Sequence, residues 1–157
     1  MVRTDVVLSL KLLTDDIFSE NQPVDLAGLG ASLAINTYRT LKILELGLTV
    51  VGDDYDPLCG FDRELRFIAG NNVLEELGLD LATQDNGLCT DSEDWSAFDS
   101  VLTESDAFPM LHRVLVAISY ELYPSESLNL KVESLKEDKF PRLTESKVVE
   151  FKFCDLC

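Results

Sequence analysis

The sequence predicts an α/β fold in which about five parallel strands alternate with helices, all within one domain spanning residues 1–157. Three observations lead there. Five segments alternate apolar and polar residues with period two, the mark of strands buried on one face. Their anchors Leu8, Leu44, Leu77, Val114 and Val149 lie 36, 33, 37 and 35 residues apart, the near-constant step of an internal repeat. Between them the apolar residues fall at intervals of three and four, which sets a stripe along a helix.

Taken in order, the first strand is expected near 6–12, where Val6-Val7-Leu8-Ser9-Leu10-Lys11-Leu12 alternates. Leu26, Leu29 and Leu33 then mark a helix, weakened by Gly28 and Gly30, each of which costs about 1 kcal/mol against alanine. The second strand is expected at 41–50, LKILELGLTV. Leu58, Phe61, Leu65 and Ile68 line a second helix, with Pro57 as its opening residue. A third strand is expected near 74–82, and a third helix carries Trp95, Phe98 and Leu102 behind the N-cap choices Asp91 to Asp94. The fourth strand is placed near 111–120. Leu128, Val132 and Leu135 suit a fourth helix, although LNLKV there also reads as a short strand. The last strand is expected near 148–154.

The polarity of the strands separates two architectures. A doubly wound sheet has helices on both faces, so its strands are apolar on both sides. Here the residues of the second face are Ser9 and Lys11, Glu45, Gly47 and Thr49, Gly78, Asp80 and Ala82, and finally Glu150 and Lys152. Only the fourth strand, with Leu115 and Ala117, departs. A solenoid with helices on its convex side and an exposed concave sheet accounts for this pattern.

The residues also carry a recognisable motif. Leu41-x-x-Leu44-x-Leu46, Leu74-x-x-Leu77-x-Leu79 and Leu111-x-x-Val114-x-Val116 resemble the strand of leucine-rich repeats. The Asn or Cys that usually follows is absent, since Gly47, Gly78 and Ala117 stand directly after. The long repeat is similar to the irregular leucine-rich repeats of fungal F-box proteins. Trp95, Phe98 and Leu102 lead to Phe108-Pro109-Met110-Leu111, and Phe140-Pro141-Arg142-Leu143 repeats that step before the last strand. No F-box itself is recognised in the sequence. The resemblance implies a protein-interaction module, the substrate-recognition part of an F-box-type ubiquitin ligase receptor.

Charge and composition narrow the classes. With 29 Asp+Glu against 13 Lys+Arg the net charge is −16, which excludes nucleic acid and anionic membrane surfaces as partners. A 46% hydrophobic content argues for a folded core over disorder. No run reaches the roughly 18 apolar residues of a membrane span, and no signal peptide is recognised. Four scattered cysteines suit a reducing compartment, so a cytoplasmic or nuclear location is expected.

Catalytic and metal chemistry finds little support. Cys154-x-x-Cys157 has the spacing of half a zinc site and is the one weak metal candidate, with Cys59 and Cys89 unmarked as its complement. Asp53-Asp54-x-Asp56 lacks the glycine and distal glutamate of a calcium loop. His112, the single histidine, reads as a boundary residue of the fourth strand, and Gly28-x-Gly30 lies in a helical pattern where a phosphate loop would follow a strand. Neither a catalytic residue nor a cofactor is assigned. Trp95, Phe61, Phe67, Phe98, Phe151 and Phe153 are assigned mostly to the core.

The candidate partner-binding surface is the concave face: Ser9, Lys11, Glu45, Thr49, Asp80, Ser119, Glu150 and Lys152. Its ligand would be a protein. The alternative is a small α/β enzyme or ligand-binding domain on a doubly wound sheet, with Asp53, Asp54, Asp85 and Tyr120 beyond the strand ends. Neither end of the repeat has an evident polar cap, so self-association through the open ends is also expected.

Overall fold

A computed structural model describes residues 6–12, 26–36, 39–50, 56–83, 88–120 and 124–156. Strands β1 (Val6–Leu12), β2 (Leu41–Val50), β3 (Glu76–Thr83), β4 (Arg113–Tyr120) and β5 (Glu150–Leu156) alternate with helices α1 (Leu29–Asn36), α2 (Phe61–Ile68), α3 (Glu93–Thr103), α4 (Glu126–Lys139) and α5 (Pro141–Glu145). The sheet order is β1-β2-β3-β4-β5, and each neighbouring pair is parallel. Of the roughly five strands expected, β2 to β5 are described with their side chains and β1 by its backbone pairing to β2 alone. The order runs in sequence without the reversal point at which a doubly wound sheet forms its ligand crevice.

One sheet face holds the core. Leu44, Leu77 and Val114 align in one row, Leu46, Leu79 and Val116 in the next, and Leu48, Leu81 and Ile118 in a third. All nine are at most 2% exposed. The helical stripes meet them, since Leu33, Leu58, Phe61, Leu65, Ile68, Trp95, Phe98, Leu102, Leu128, Val132 and Leu135 are buried. Aromatic rings tie successive helices together. Phe61 stacks on Phe98 at 5.6 Å, and Phe140 meets Trp95 and Phe98 edge-on and then Phe151 at 5.2 Å.

Several local expectations shift. Pro57 lies in a turn, and α2 starts four residues later behind Gly60, whose φ of 72° is left-handed. The segment around LNLKV is helical, because Ser125 caps α4 by accepting from the Leu128 N–H at 3.2 Å. Gly30 is no weak point: the space its Cβ would fill is taken by the backbone of Glu64, and its N–H donates to Glu64 Oε2 at 2.8 Å. The glycine lets α1 and α2 approach closely. Phe67 is 60% exposed, on the solvent side of α2, contrary to its assignment to the core.

The two F-P-x-L steps also diverge. Pro109 and Met110 form a turn that leads directly into β4, whereas Pro141 opens the short helix α5 and delays β5. Asp99 explains the second. From within α3 its Oδ1 accepts the Leu143 N–H at 2.8 Å and its Oδ2 the Arg142 N–H at 3.2 Å, which supplies the first turn of α5 with the acceptors it lacks. Burial pushes the Asp99 carboxyl above its ordinary range, against the pull of those two N–H donors and of the Arg142 guanidinium. Asn72 has the matching role in the preceding coil. Its side-chain amide donates to the Ile68 and Ala107 carbonyls, both at 2.8 Å, and its oxygen accepts from the Leu74 N–H at 3.2 Å.

Candidate interaction surface on the open sheet face

Strand parity turns every second residue of β2 to β5 away from the core, and the register lines those residues up in rows. Ile43, Glu76, Arg113 and Glu150 form the first row, at the N-terminal end of the strands. Glu45, Gly78, Leu115 and Lys152 form the second, Gly47, Asp80, Ala117 and Cys154 the third, and Thr49, Ala82 and Ser119 continue beyond. Glu45, Asp80, Glu150 and Lys152 are exposed, and Thr49 and Ser119 are half-buried. The six described members of the expected surface therefore share one face. For Ser9 and Lys11 the backbone register gives Glu45 and Gly47 as neighbours, and their side chains lie outside the described residues.

Of the first row, sequence reasoning named Glu150 and missed Glu76 and Arg113. Glu76, Arg113, Glu150 and Lys152 make a ladder of alternating charge across β3, β4 and β5. Arg113 Nη1 lies 3.5 Å from Glu76 and its Nε 4.0 Å from Glu150, while Lys152 Nζ is 2.9 Å from Glu150. The Lys152 ammonium holds the Glu150 carboxyl below its ordinary range. Glu75-Glu76 reads in the sequence as a chance acidic pair, and only the register reveals that Glu76 faces Arg113. The usable signal was the alternation of each strand, extended one step toward its start.

Charge is uneven over this face. Glu45, Glu76 and Asp80 make β2 and β3 acidic, Arg113, Glu150 and Lys152 make β4 and β5 mixed, and Leu115 and Ala117 sit between as apolar floor. Gly78 adds no side chain to the floor beside Glu45, where a Cβ would make ordinary contact with Glu45 Cγ at 3.5 Å.

The other candidates are dispersed. His112 is exposed just ahead of β4, and its backbone joins the coils by donating to the Glu75 carbonyl at 3.0 Å and accepting from the Glu150 N–H at 2.8 Å. Cys59 is exposed, Cys89 and Cys154 are half-buried, and Cys157 lies outside the described residues. Among the described residues no three His, Cys, Asp or Glu side chains converge as a metal site. Of the alternative catalytic set, Asp53, Asp54 and Asp85 lie outside the described residues, and Tyr120 ends β4 half-buried. Asp56 accepts the Leu58 N–H at 2.9 Å, and burial, reinforced by neighbouring Asp94, pushes its carboxyl up. Among the described residues no helix is long and apolar enough to cross a membrane.

Compared with family models, with curated proteins and with solved structures, the chain gives no match.

Proposed function

We propose that the chain is a segment of a leucine-rich-repeat-like solenoid whose open sheet face binds a protein partner. The observation that carries this reading is the division of the sheet: its helix side is filled with buried leucine, valine and isoleucine, while the other side has no helix over it among the described residues and sets charged and hydroxyl side chains around Ile43, Leu115 and Ala117. Side chains on the open side hold no core together, so they are available for recognition. Sequential strand order, with one strand and its helix per coil, fits the same reading. The acidic half over β2 and β3 selects a partner with basic groups, and Leu115 with Ala117 supplies a place for an apolar anchor. The resemblance to the repeats of fungal F-box proteins extends the proposal to the recognition part of a ubiquitin ligase receptor.

Capture from a cell extract on the immobilised chain tests this. Glu45→Ala combined with Asp80→Ala should reduce recovery of a specifically retained protein by about tenfold, the scale of one or two lost interfacial contacts. Glu133→Ala combined with Glu137→Ala, on the exposed side of α4, should leave recovery unchanged. Equal recovery by both variants refutes the open face as the binding surface.

A further inference from the structure

The coils differ at one end of the sheet. Leu41, Leu74 and Leu111 occupy the first position of the strand motif and are 1%, 1% and 2% exposed, whereas Val148 stands at the corresponding position before β5 and is 79% exposed. In the next two motif positions Phe151 and Phe153 are only half-buried, where Val114 and Val116 are fully buried. In the preceding coils these positions are closed by the strand and helix that follow. β5 is the last strand of the sheet order, so the backbone groups along its outer edge have no strand partner among the described residues. An apolar row beside an unpaired ladder edge is what a further strand would fill.

The side chains of β5 select the occupant, and the charge distribution permits it. Residues 124–157 contain six Lys+Arg and seven Asp+Glu, so they carry −1 of the −16, and residues 1–123 carry the other −15. Of these, residues 41–123 hold four Lys+Arg and 17 Asp+Glu, so contact between two copies through the middle coils brings strongly acidic surfaces together. Contact through the last coil does not. The side chains of β5 are also self-complementary about a two-fold axis. In an antiparallel pair centred on Phe151, Glu150 of each copy faces Lys152 of the other, Phe151 faces Phe151, and Val149 faces Phe153. Facing residues then share polarity, so the core side stays apolar and the open side stays charged. A slip of two residues, centring the pair on Lys152, sets Lys152 against Lys152 and Glu150 against Cys154, and both ion pairs vanish.

We propose that the chain forms a two-fold dimer in which β5 pairs antiparallel with β5 of a second copy, centred on Phe151. The two sheets join into one, Val148 falls at the seam, and the two open faces lie side by side. Glu150 and Lys152, already 2.9 Å apart within the chain and both exposed, exchange their in-chain contact for two contacts across the axis. The interface is isologous, so it closes at two copies. This inference is independent of the partner-binding role, because Glu45 and Asp80 lie on β2 and β3.

Sedimentation equilibrium of the full chain in 0.15 M salt reads this directly, since a screening length of about 8 Å damps the distant acids and spares contact pairs. The wild-type chain should be dimeric across a concentration series. Glu150→Lys sets lysine against lysine across the axis, and Lys152→Glu sets glutamate against glutamate. Each should raise the dimer dissociation constant about tenfold or more, with circular dichroism unchanged because both sites are exposed. Mixing the two single variants restores both opposite-charge pairs and should restore dimerisation, as should the double exchange within one chain. A monomeric wild type, single variants that dimerise as it does, or a double exchange no stronger than the single ones would each overturn the proposal.

Discussion

Asp99 joins two coils through a single carboxylate, and replacing it with asparagine isolates what that charge contributes. The residue is 2% exposed, and each of its oxygens accepts one backbone N–H of α5. An asparagine keeps the better bond, 2.8 Å to the Leu143 N–H, through its amide oxygen. Its NH2 group then faces the Arg142 N–H, donor against donor. The loss of one bond to a charged acceptor costs about 1.5–3 kcal/mol. Arg142 lies at an exposed turn where water reaches, and a neutral amide escapes the carboxylate's desolvation, so a net destabilisation of about 1–2 kcal/mol is expected at pH 7. Asp99→Ala leaves both N–H groups without the side chain and should cost about 3 kcal/mol.

Urea unfolding followed by fluorescence reads the effect, because the chain's one tryptophan, Trp95, is fully buried on the same helix. With a slope of about 1–3 kcal/mol per molar, the asparagine variant should unfold roughly 0.5–1 M earlier. The pH dependence supplies a second check. Because burial raises the Asp99 pKa above its unfolded value of 3.8, the folded chain binds the extra proton first. The stability linked to that proton is fully present below 3.8 and is lost as pH rises through the folded value. The gap between wild type and Asp99→Asn should therefore widen on acidification from neutral pH, while the many other carboxylates, common to both chains, cancel. A difference under about 0.5 kcal/mol at pH 7, within the range of an ordinary surface change, would refute the capping argument. A gap that narrows toward pH 4 would refute the dominance of burial over the N–H donors.

Two further substitutions probe the joints between coils by the same unfolding measurement. Asn72→Ala strands the Leu74 N–H and removes a donor from the Ile68 and Ala107 carbonyls, so it should cost about 2–3 kcal/mol. Asn72→Asp cannot donate and should be no better; wild-type stability in that variant would show that donation is not the operative contact. Gly30→Ala gains about 1 kcal/mol of helix propensity but drives a methyl into the Glu64 backbone. Overpacking of about 1–3 kcal/mol should leave it equal to or less stable than wild type, so a stabilised variant would contradict the close approach of α1 and α2.

What the sequence displayed and what it concealed divide along a physical line. Period-two and period-3.6 patterns report burial, and burial is what the strands and the stripes Leu58-Phe61-Leu65-Ile68 and Trp95-Phe98-Leu102 share, so those were legible. The polar open face followed from the same alternation, which is why Glu45, Asp80 and Lys152 were found. Single polar residues that bond across coils leave no periodic trace. Asn72 sits in a run, Gly70-Asn71-Asn72, that looks like an ordinary turn, and Asp99 is one acid among 29 Asp+Glu. Gly30 was misjudged for a related reason: its cost is local and visible, while its benefit depends on a helix that begins 31 residues later. The ladder of Glu76, Arg113 and Glu150 needed the register, which no single strand specifies.

The net charge can now be placed, and its placement decides how the chain can associate. A uniform −16 would oppose every self-contact alike and would make acidity a statement about solubility alone. Instead residues 41–123 carry −13 of it, and Glu45, Glu76 and Asp80 bring it onto the open face of β2 and β3. In the last coil, residues 124–157 are close to neutral, although β5 is an edge strand whose Phe151 and Phe153 are only half-buried. If the acids served only to keep a hydrated surface, that coil, with Val148 79% exposed, is where they would be needed most as a guard against edge pairing. Their depletion there is what the proposed pairing of β5 with a second copy requires, since Glu150 and Lys152 would then each meet an opposite charge across the axis.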